Sequence, residues 1–173
     1  MGRFQDITFL KKLISNIPIL LLFVSVLNEF DFNYLETGFF AFNFPFILIF
    51  YCSLKKSEIL GYGYIFIAGL INDVVVGFPI GISSFCYLLI CGFASYLRNI
   101  TLRPNIFQDW AFFLFTLLVT NSLMYTMLVL FFGFNLDYNN LLLNLLFTFL
   151  LYIMFAYIFD IYQKLIFGHI NDW

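Results

Sequence analysis

The chain has 173 residues, of which 63% are hydrophobic and 10% are charged, and its formal net charge is −2. A soluble domain of this size could not cover so much apolar surface with so few charges, so the composition excludes a soluble protein and predicts an integral membrane protein embedded in a lipid bilayer. The weakly negative charge gives no basis for nucleic-acid binding.

Six apolar stretches near 20 residues in length follow one another along the chain. They predict transmembrane helices at about 13–28, 38–54, 59–77, 80–97, 110–132 and 139–162. We therefore expect an all-α fold in which residues 1–173 form one transmembrane domain, a compact bundle of six helices. The second stretch is the weakest because Asn43 and Pro45 interrupt it, and a re-entrant half-helix is the alternative there.

The distribution of charge decides against the re-entrant alternative. With six full spans, all eight basic residues fall on one side: Arg3, Lys11, Lys12, Lys55, Lys56, Arg98, Arg103 and Lys164. The opposite side then carries four acids and no Lys or Arg: Glu29, Asp31, Glu36 and Asp137. Because basic loops stay in the cytoplasm, we expect a multi-pass protein with both termini cytoplasmic.

The cysteine and histidine content predicts no metal or catalytic centre. Cys52, Cys86 and Cys91 lie in apolar stretches without a neighbouring histidine, which is typical of buried thiols acting as small hydrophobes. The single histidine, His169, lies in the C-terminal tail. We expect no metal site, no cofactor and no catalytic residues.

One acid lies inside the third apolar stretch, in the sequence GLINDVVVGFPIG at 69–81. Asp73 falls about one turn before Gly77, near a helix C-terminus, where the helix dipole disfavours a carboxylate. The nearest basic residues in the chain, Lys55 and Lys56, lie about 26 Å back along the helix. Asp73 therefore needs a compensating partner.

Three arrangements would satisfy the Asp73 carboxyl group: protonation, backbone N–H bonds from the start of the fourth helix, or a group from a partner or ligand. The short connection favours the second, because Gly77 suits a left-handed helix end and Pro79 stops the helix. The site is then either a hairpin clasp or a small polar pocket near the outer leaflet, with Asp73, Asn72, Gly69, Gly77, Pro79 and Gly81 as its residues.

Small and polar residues predict how the helices pack. Close contacts are expected at the small residues of the third and fourth helices: Gly61, Gly63, Ala68, Gly69, Gly92, Ala94 and Ser95. Interhelical hydrogen bonds are expected from Asn72, Asn121 and Asn144. Asp160 and Lys164, spaced i, i+4, predict an ion pair.

The stretch NFPFILIFY, followed by GYGYIFIAGLINDVVVGFPIGISSFCYLLICGFASYLRN, resembles the bacterial rod shape-determining protein family MreD. The family pattern is a glycine-containing third span that ends in Gly-Leu-Leu/Ile-x-Asp, then Gly, Pro and Leu-Gly or Ile-Gly. The chain matches it at Gly69, Leu70, Ile71, Asp73, Gly77, Pro79 and Gly81. The match is specific over about 43–98 and rests elsewhere on span number and length.

The resemblance implies a non-enzymatic inner-membrane subunit of the bacterial cell-elongation complex, or elongasome. Family members bind the single-span protein MreC and act through it with MreB, RodA and a penicillin-binding transpeptidase to regulate lateral peptidoglycan synthesis and cell shape. The implied fold is similar to that of the S-component, the substrate-binding subunit of energy-coupling-factor transporters. A homodimer is left open.

Two alternatives belong to other functional classes. The first is a substrate-binding S-component-like subunit of a vitamin transporter, although the first span, LISNIPILLLFVSVLN, lacks the Ala-x-x-x-Ala face that such subunits use to dock their energising partner. The second is a membrane enzyme acting on lipid-linked substrates. Such chemistry needs several convergent acids, bases or ligands, whereas Asp73 stands alone at its depth.

Overall fold

A computed structural model describes residues 16–27, 42–55, 60–101, 105–133 and 138–167, with side chains up to 164 in the last range. All regular structure in these ranges is helical: α1 (Ile17–Leu27), α2 (Phe44–Lys55), α3 (Tyr62–Val76), α4 (Ile82–Ile100), α5 (Ile106–Phe132) and α6 (Tyr138–Phe167). Each helix overlaps one predicted apolar stretch, so the all-helical class is confirmed. The predicted division of charges between the two sides of the membrane rests partly on residues outside the described ranges: Arg3, Lys11, Lys12, Glu29, Asp31, Glu36, Lys56, Arg103 and Asp137.

Two helices are long and apolar enough to cross a membrane. They are α5, with 27 residues, and α6, with 30. Of the others, α1, α2 and α3 are apolar but have only 11, 12 and 15 described residues. By length and composition, the described ranges support a membrane protein, and they do not confirm six full spans.

Helix α2 occupies the centre of the bundle. Every residue from Phe44 to Leu54 is buried, and a helix that is apolar all round is stable when neighbouring helices surround it. The interruption at Asn43 and Pro45 marks the start of this helix, because proline is tolerated in a first turn, where its missing N–H is not needed. Asn43 fixes this start to α6: its N–H donates to Thr148 Oγ1 at 2.9 Å.

The remaining helices pack around α2 and α4. Helix α4 contacts α2, α3 and α5, while α6 contacts α2 and α5. Aromatic rings fill the region where α2, α5 and α6 meet: the Phe50 centroid lies 5.0 Å from that of Phe113 and 5.7 Å from that of Tyr152. The neighbouring helices therefore cover the apolar side chains of α2 on all sides.

A smaller apolar cluster lies beside the connection between α3 and α4. It consists of Ile82 and Cys86 from α4 with Met124 and Leu128 from α5, and Phe78 of the connection packs against it. The start of α4 is thereby fixed to the second half of α5. The three cysteines are buried and unpaired, as the sequence predicts.

Candidate functional site

The connection between α3 and α4 takes only five residues, and its two outer glycines adopt backbone angles that other residues disfavour. Gly77 ends α3 with φ 78° and ψ 24°, the left-handed conformation typical of a helix C-terminus. Gly81 precedes α4 with φ 108°. L-residues rarely tolerate positive φ, so both positions favour glycine. The turn that these backbone angles produce directs α4 back along α3.

Asp73 is fully buried and accepts four backbone hydrogen bonds, three from the connection and one from the first turn of α4. Its carboxylate takes one bond on each oxygen, from Gly81 N–H to Oδ2 at 2.7 Å and from Ser83 N–H to Oδ1 at 2.8 Å. Its main-chain carbonyl takes two more, from the N–H groups of Gly77 and Phe78. Of the three arrangements open to Asp73, the structure contains backbone N–H bonding from the start of α4.

The electrostatic balance at Asp73 follows from the same bonds. The carboxylate lies near the end of α3, where the helix dipole opposes it, but it bonds directly to the first amides of α4, where a negative charge is stabilised. Charge-assisted bonds of this kind are roughly twice as strong as neutral ones. Within the described ranges Asp73 forms no ion pair, so these amides supply its compensation.

Neighbouring side chains extend the contact between α3 and α4. The Asn72 amide donates to Ser83 Oγ at 2.9 Å, and the Ser84 hydroxyl donates to the Phe66 carbonyl at 3.0 Å. Between these bonds Gly69 lies directly against Ser84, because a β-carbon on Gly69 would come within 2.6 Å of the Ser84 backbone nitrogen. We define the hairpin clasp as Gly69, Asn72, Asp73, Gly77, Gly81, Ser83 and Ser84.

Pro79 also belongs to this connection, in a structural role. It lies two residues after the end of α3, and its carbonyl accepts the Ile82 N–H at 3.4 Å. Proline has no N–H of its own, so it adds no donor to a connection whose other donors must find acceptors. The clasp residues thus form a closed set of internal contacts, and no open pocket is needed to explain them.

The predicted close-packing residues behave in two ways. Ala68 and Ala94 are fully buried between helices, whereas Gly63 and Gly92 are exposed and an added β-carbon would meet nothing within 4 Å among the described residues. In that part of the chain these two glycines pack against no other helix. Composition alone does not say which face of a helix turns outward. Gly61 precedes the first residue of α3, and the Ser95 hydroxyl is buried without a partner within the described ranges.

Of the three asparagines predicted to form interhelical hydrogen bonds, two form a hydrogen bond to another element and the Oδ1 atom of the third has no partner among the described residues. Asn72 donates across α3 and α4, as expected. Asn144 takes part as an acceptor, since Asn43 Nδ2 donates to its Oδ1 at 3.3 Å. The Oδ1 atom of Asn121 is buried and has no hydrogen-bond partner in the described part of the chain.

A second polar group, not recognised from sequence, joins α2 to α5 and α6. Tyr51 OH donates to Asp160 Oδ1 at 2.6 Å, and Lys55 Nζ lies 3.9 Å from Asp109 Oδ2. The expected Asp160 to Lys164 ion pair is absent, because Asp160 turns toward α2 and Lys164 is exposed. No local sequence pattern predicts the bond between Tyr51 and Asp160, since the two residues are 109 positions apart.

Arg98 contributes to the same end of the bundle. Its guanidinium Nη1 donates to the Ser53 carbonyl at 3.3 Å, in the last turn of α2. The final carbonyls of a helix lack partners within the helix, so a cation there is favourable both as a donor and toward the dipole. Among the described residues, no group of three or more His, Cys, Asp or Glu side chains is placed to hold a metal ion.

Comparison of the chain with protein-family models, with curated proteins and with solved structures gave no match.

Proposed function

We propose that this chain is a non-enzymatic subunit of the bacterial cell-elongation complex, an MreD-type scaffold with six spans in the inner membrane and cytoplasmic termini. In this role it binds MreC and, through it, supports the regulation of lateral peptidoglycan synthesis by RodA and a penicillin-binding transpeptidase. The observation that carries the proposal is that the residues behind the resemblance lie together in one hairpin. Gly69, Asp73, Gly77 and Gly81 each have a structural task there.

The bonding of Asp73 favours a scaffold over a catalyst. Both carboxylate oxygens are engaged by backbone N–H groups and the side chain has no exposed surface, so the acid is not presented to a substrate. Asp109 and Asp160 each contact a side chain of α2, Lys55 in an ion pair and Tyr51 in a hydrogen bond. When the acids serve to hold helices together, the surface of the bundle is the part available for function.

The outer face of α1 disfavours the vitamin-transporter alternative. Its exposed residues follow one helical stripe and are large: Leu20, Val24 and Leu27. Docking of an energising subunit on an S-component uses small residues that let helix backbones approach closely. A stripe of leucine and valine keeps a neighbouring helix further away and is well suited to contact with lipid.

The proposal is tested by co-expressing the tagged chain with MreC from the same bacterium and purifying in a mild detergent. We expect MreC to be retained, and we expect deletion of the gene to turn rods into rounded cells that the wild-type gene restores. Recovery of a transporter ATPase module with its membrane coupling subunit, or failure to retain MreC, would contradict the proposal.

A further inference from the structure

The outward surface of the connection between α3 and α4 is entirely apolar. Residues 74–81, the last turn of α3 and the connection, read VVVGFPIG, and the most exposed of their large apolar side chains are Val74, at 70%, and Ile80, at 76%. Connections that reach water are usually built from glycine together with polar residues, because their side chains and backbone must be solvated. This connection offers water no polar side chain, and its surface suits hydrocarbon.

The helix that leads into the connection is short. Helix α3 has 15 residues and is bounded at both ends by described residues, Gly61 and Gly77, so it is about 22 Å long. The hydrocarbon core of a bilayer is about 30 Å thick. By contrast, α5 continues for one turn beyond Leu128, which packs in the same cluster as Ile82 at the start of α4. Measured along its axis, α3 is about 8 Å shorter than the hydrocarbon core.

Most N–H groups in and just after the connection are paired within the protein. Three of the four N–H groups of the connection, those of residues 77, 78 and 81, have acceptors inside the hairpin, as do those of residues 82 and 83 at the start of α4, and four of these five bond to Asp73. In the hydrocarbon region each unpaired backbone group costs several kcal/mol, so irregular backbone occurs there only where such groups are paired internally. Asp73 supplies acceptors that water supplies in an ordinary turn.

We propose that the connection between α3 and α4 lies within the hydrocarbon of the outer leaflet, with lipid acyl chains against Val74 and Ile80. The Asp73 carboxylate is then the internal acceptor that allows a turn to form away from water. The inference rests on the membrane placement in the proposed function and adds the depth of this turn and its lipid partner.

The test uses the purified full chain in phosphatidylcholine vesicles, with a nitroxide label on Ile80→Cys. The native thiols are buried, so labelling is directed to the exposed site. Tyr138→Cys, at the exposed start of α6, serves as the interfacial reference, and Leu118→Cys, half-exposed within α5, serves as the hydrocarbon reference. Power saturation then compares the access of oxygen, which concentrates in hydrocarbon, with that of a water-soluble nickel chelate.

We expect the ratio of oxygen access to nickel access at Ile80 to match that at Leu118 and to be several times that at Tyr138. A ratio at Ile80 equal to that at Tyr138 would overturn the depth of the turn, and low access to both reagents would mean that protein covers it. Nickel access at Leu118 as well would overturn the membrane placement itself, which separates failure of the proposed function from failure of this inference.

Discussion

Gly69 of α3 lies so close to Ser84 of α4 that a β-carbon on Gly69 would fall 2.6 Å from the Ser84 backbone nitrogen. This contact is one helical turn before Asp73, whose carboxylate bonds to the amides of Gly81 and Ser83. The close approach and the carboxylate bonds depend on each other, because the amides reach Asp73 only if the two backbones are nearly in contact.

Replacement of Gly69 by alanine tests this dependence. The neighbouring atoms are backbone atoms that cannot rotate away, so Gly69→Ala must separate α3 from α4, and we expect a loss of about 1–3 kcal/mol in unfolding free energy. Gly92→Ala is the matched control on α4, where an added β-carbon meets no described residue within 4 Å and alanine favours the helix by up to about 1 kcal/mol. Unfolding in detergent measures both, and equal stability of the two variants would refute the packing role.

The positive φ at Gly77 predicts a graded response to substitution. No described residue lies within 4 Å of its β-position, so we expect the cost to arise from the backbone. Asparagine adopts left-handed angles more readily than other residues, whereas a β-branched side chain strongly resists them. We expect Gly77→Asn to lower the melting temperature less than Gly77→Val, and the reverse order would argue against a left-handed helix end.

The bond from Tyr51 to Asp160 predicts which residue at the end of α6 matters for stability. Tyr51→Phe removes a donor at 2.6 Å from a carboxylate, and we expect a loss of about 1.5–3 kcal/mol. Lys164→Ala should change stability little, because Lys164 is exposed and forms no ion pair with Asp160. Thermal unfolding of the two variants distinguishes this network from the i, i+4 pair, which predicts the opposite ranking.

Lys55 and Asp109 are expected to be coupled. The Asp109 side chain is 6% exposed, so Lys55→Met leaves a nearly buried carboxylate without its cation. Adding Asp109→Asn removes that charge, and we expect the double variant to be more stable than Lys55→Met alone. A double-mutant cycle in detergent measures the coupling, and strictly additive effects would show that the pair contributes nothing.

Much of the helical order follows from sequence, because apolar runs separated by Gly, Pro and charged residues leave few other outcomes. The bonding of Asp73 to backbone N–H groups could also be predicted, since Gly77, Pro79 and Gly81 favour a short turn that starts the next helix beside it. The outward position of Gly63 and Gly92 could not be predicted, because a glycine is equally compatible with a packed helix face and an open one. The Tyr51 bond depends on how α6 crosses α2, which local spacing does not encode.

The two hydrogen bonds of the Asp73 carboxylate predict how replacement of this residue changes stability. Each carboxylate oxygen accepts one backbone N–H, so Asp73→Asn keeps one acceptor and turns an amide donor toward the other N–H. Asp73→Leu removes both acceptors and leaves two amides unpaired. We expect stability to fall in the order wild type, Asn, Leu, as measured by the midpoint of unfolding. A leucine variant as stable as the wild type would be incompatible with the clasp.

Residue-resolved hydrogen exchange of the Gly81 and Ser83 amides, in the folded full chain in micelles, tests the role of Asp73 most directly. We expect both amides to exchange slowly in the wild type and much faster in Asp73→Leu, while amides in the core of α2, such as that of Phe50, stay protected in both proteins. Equal exchange of Gly81 and Ser83 in the two proteins, with the α2 core intact, would contradict this role of Asp73.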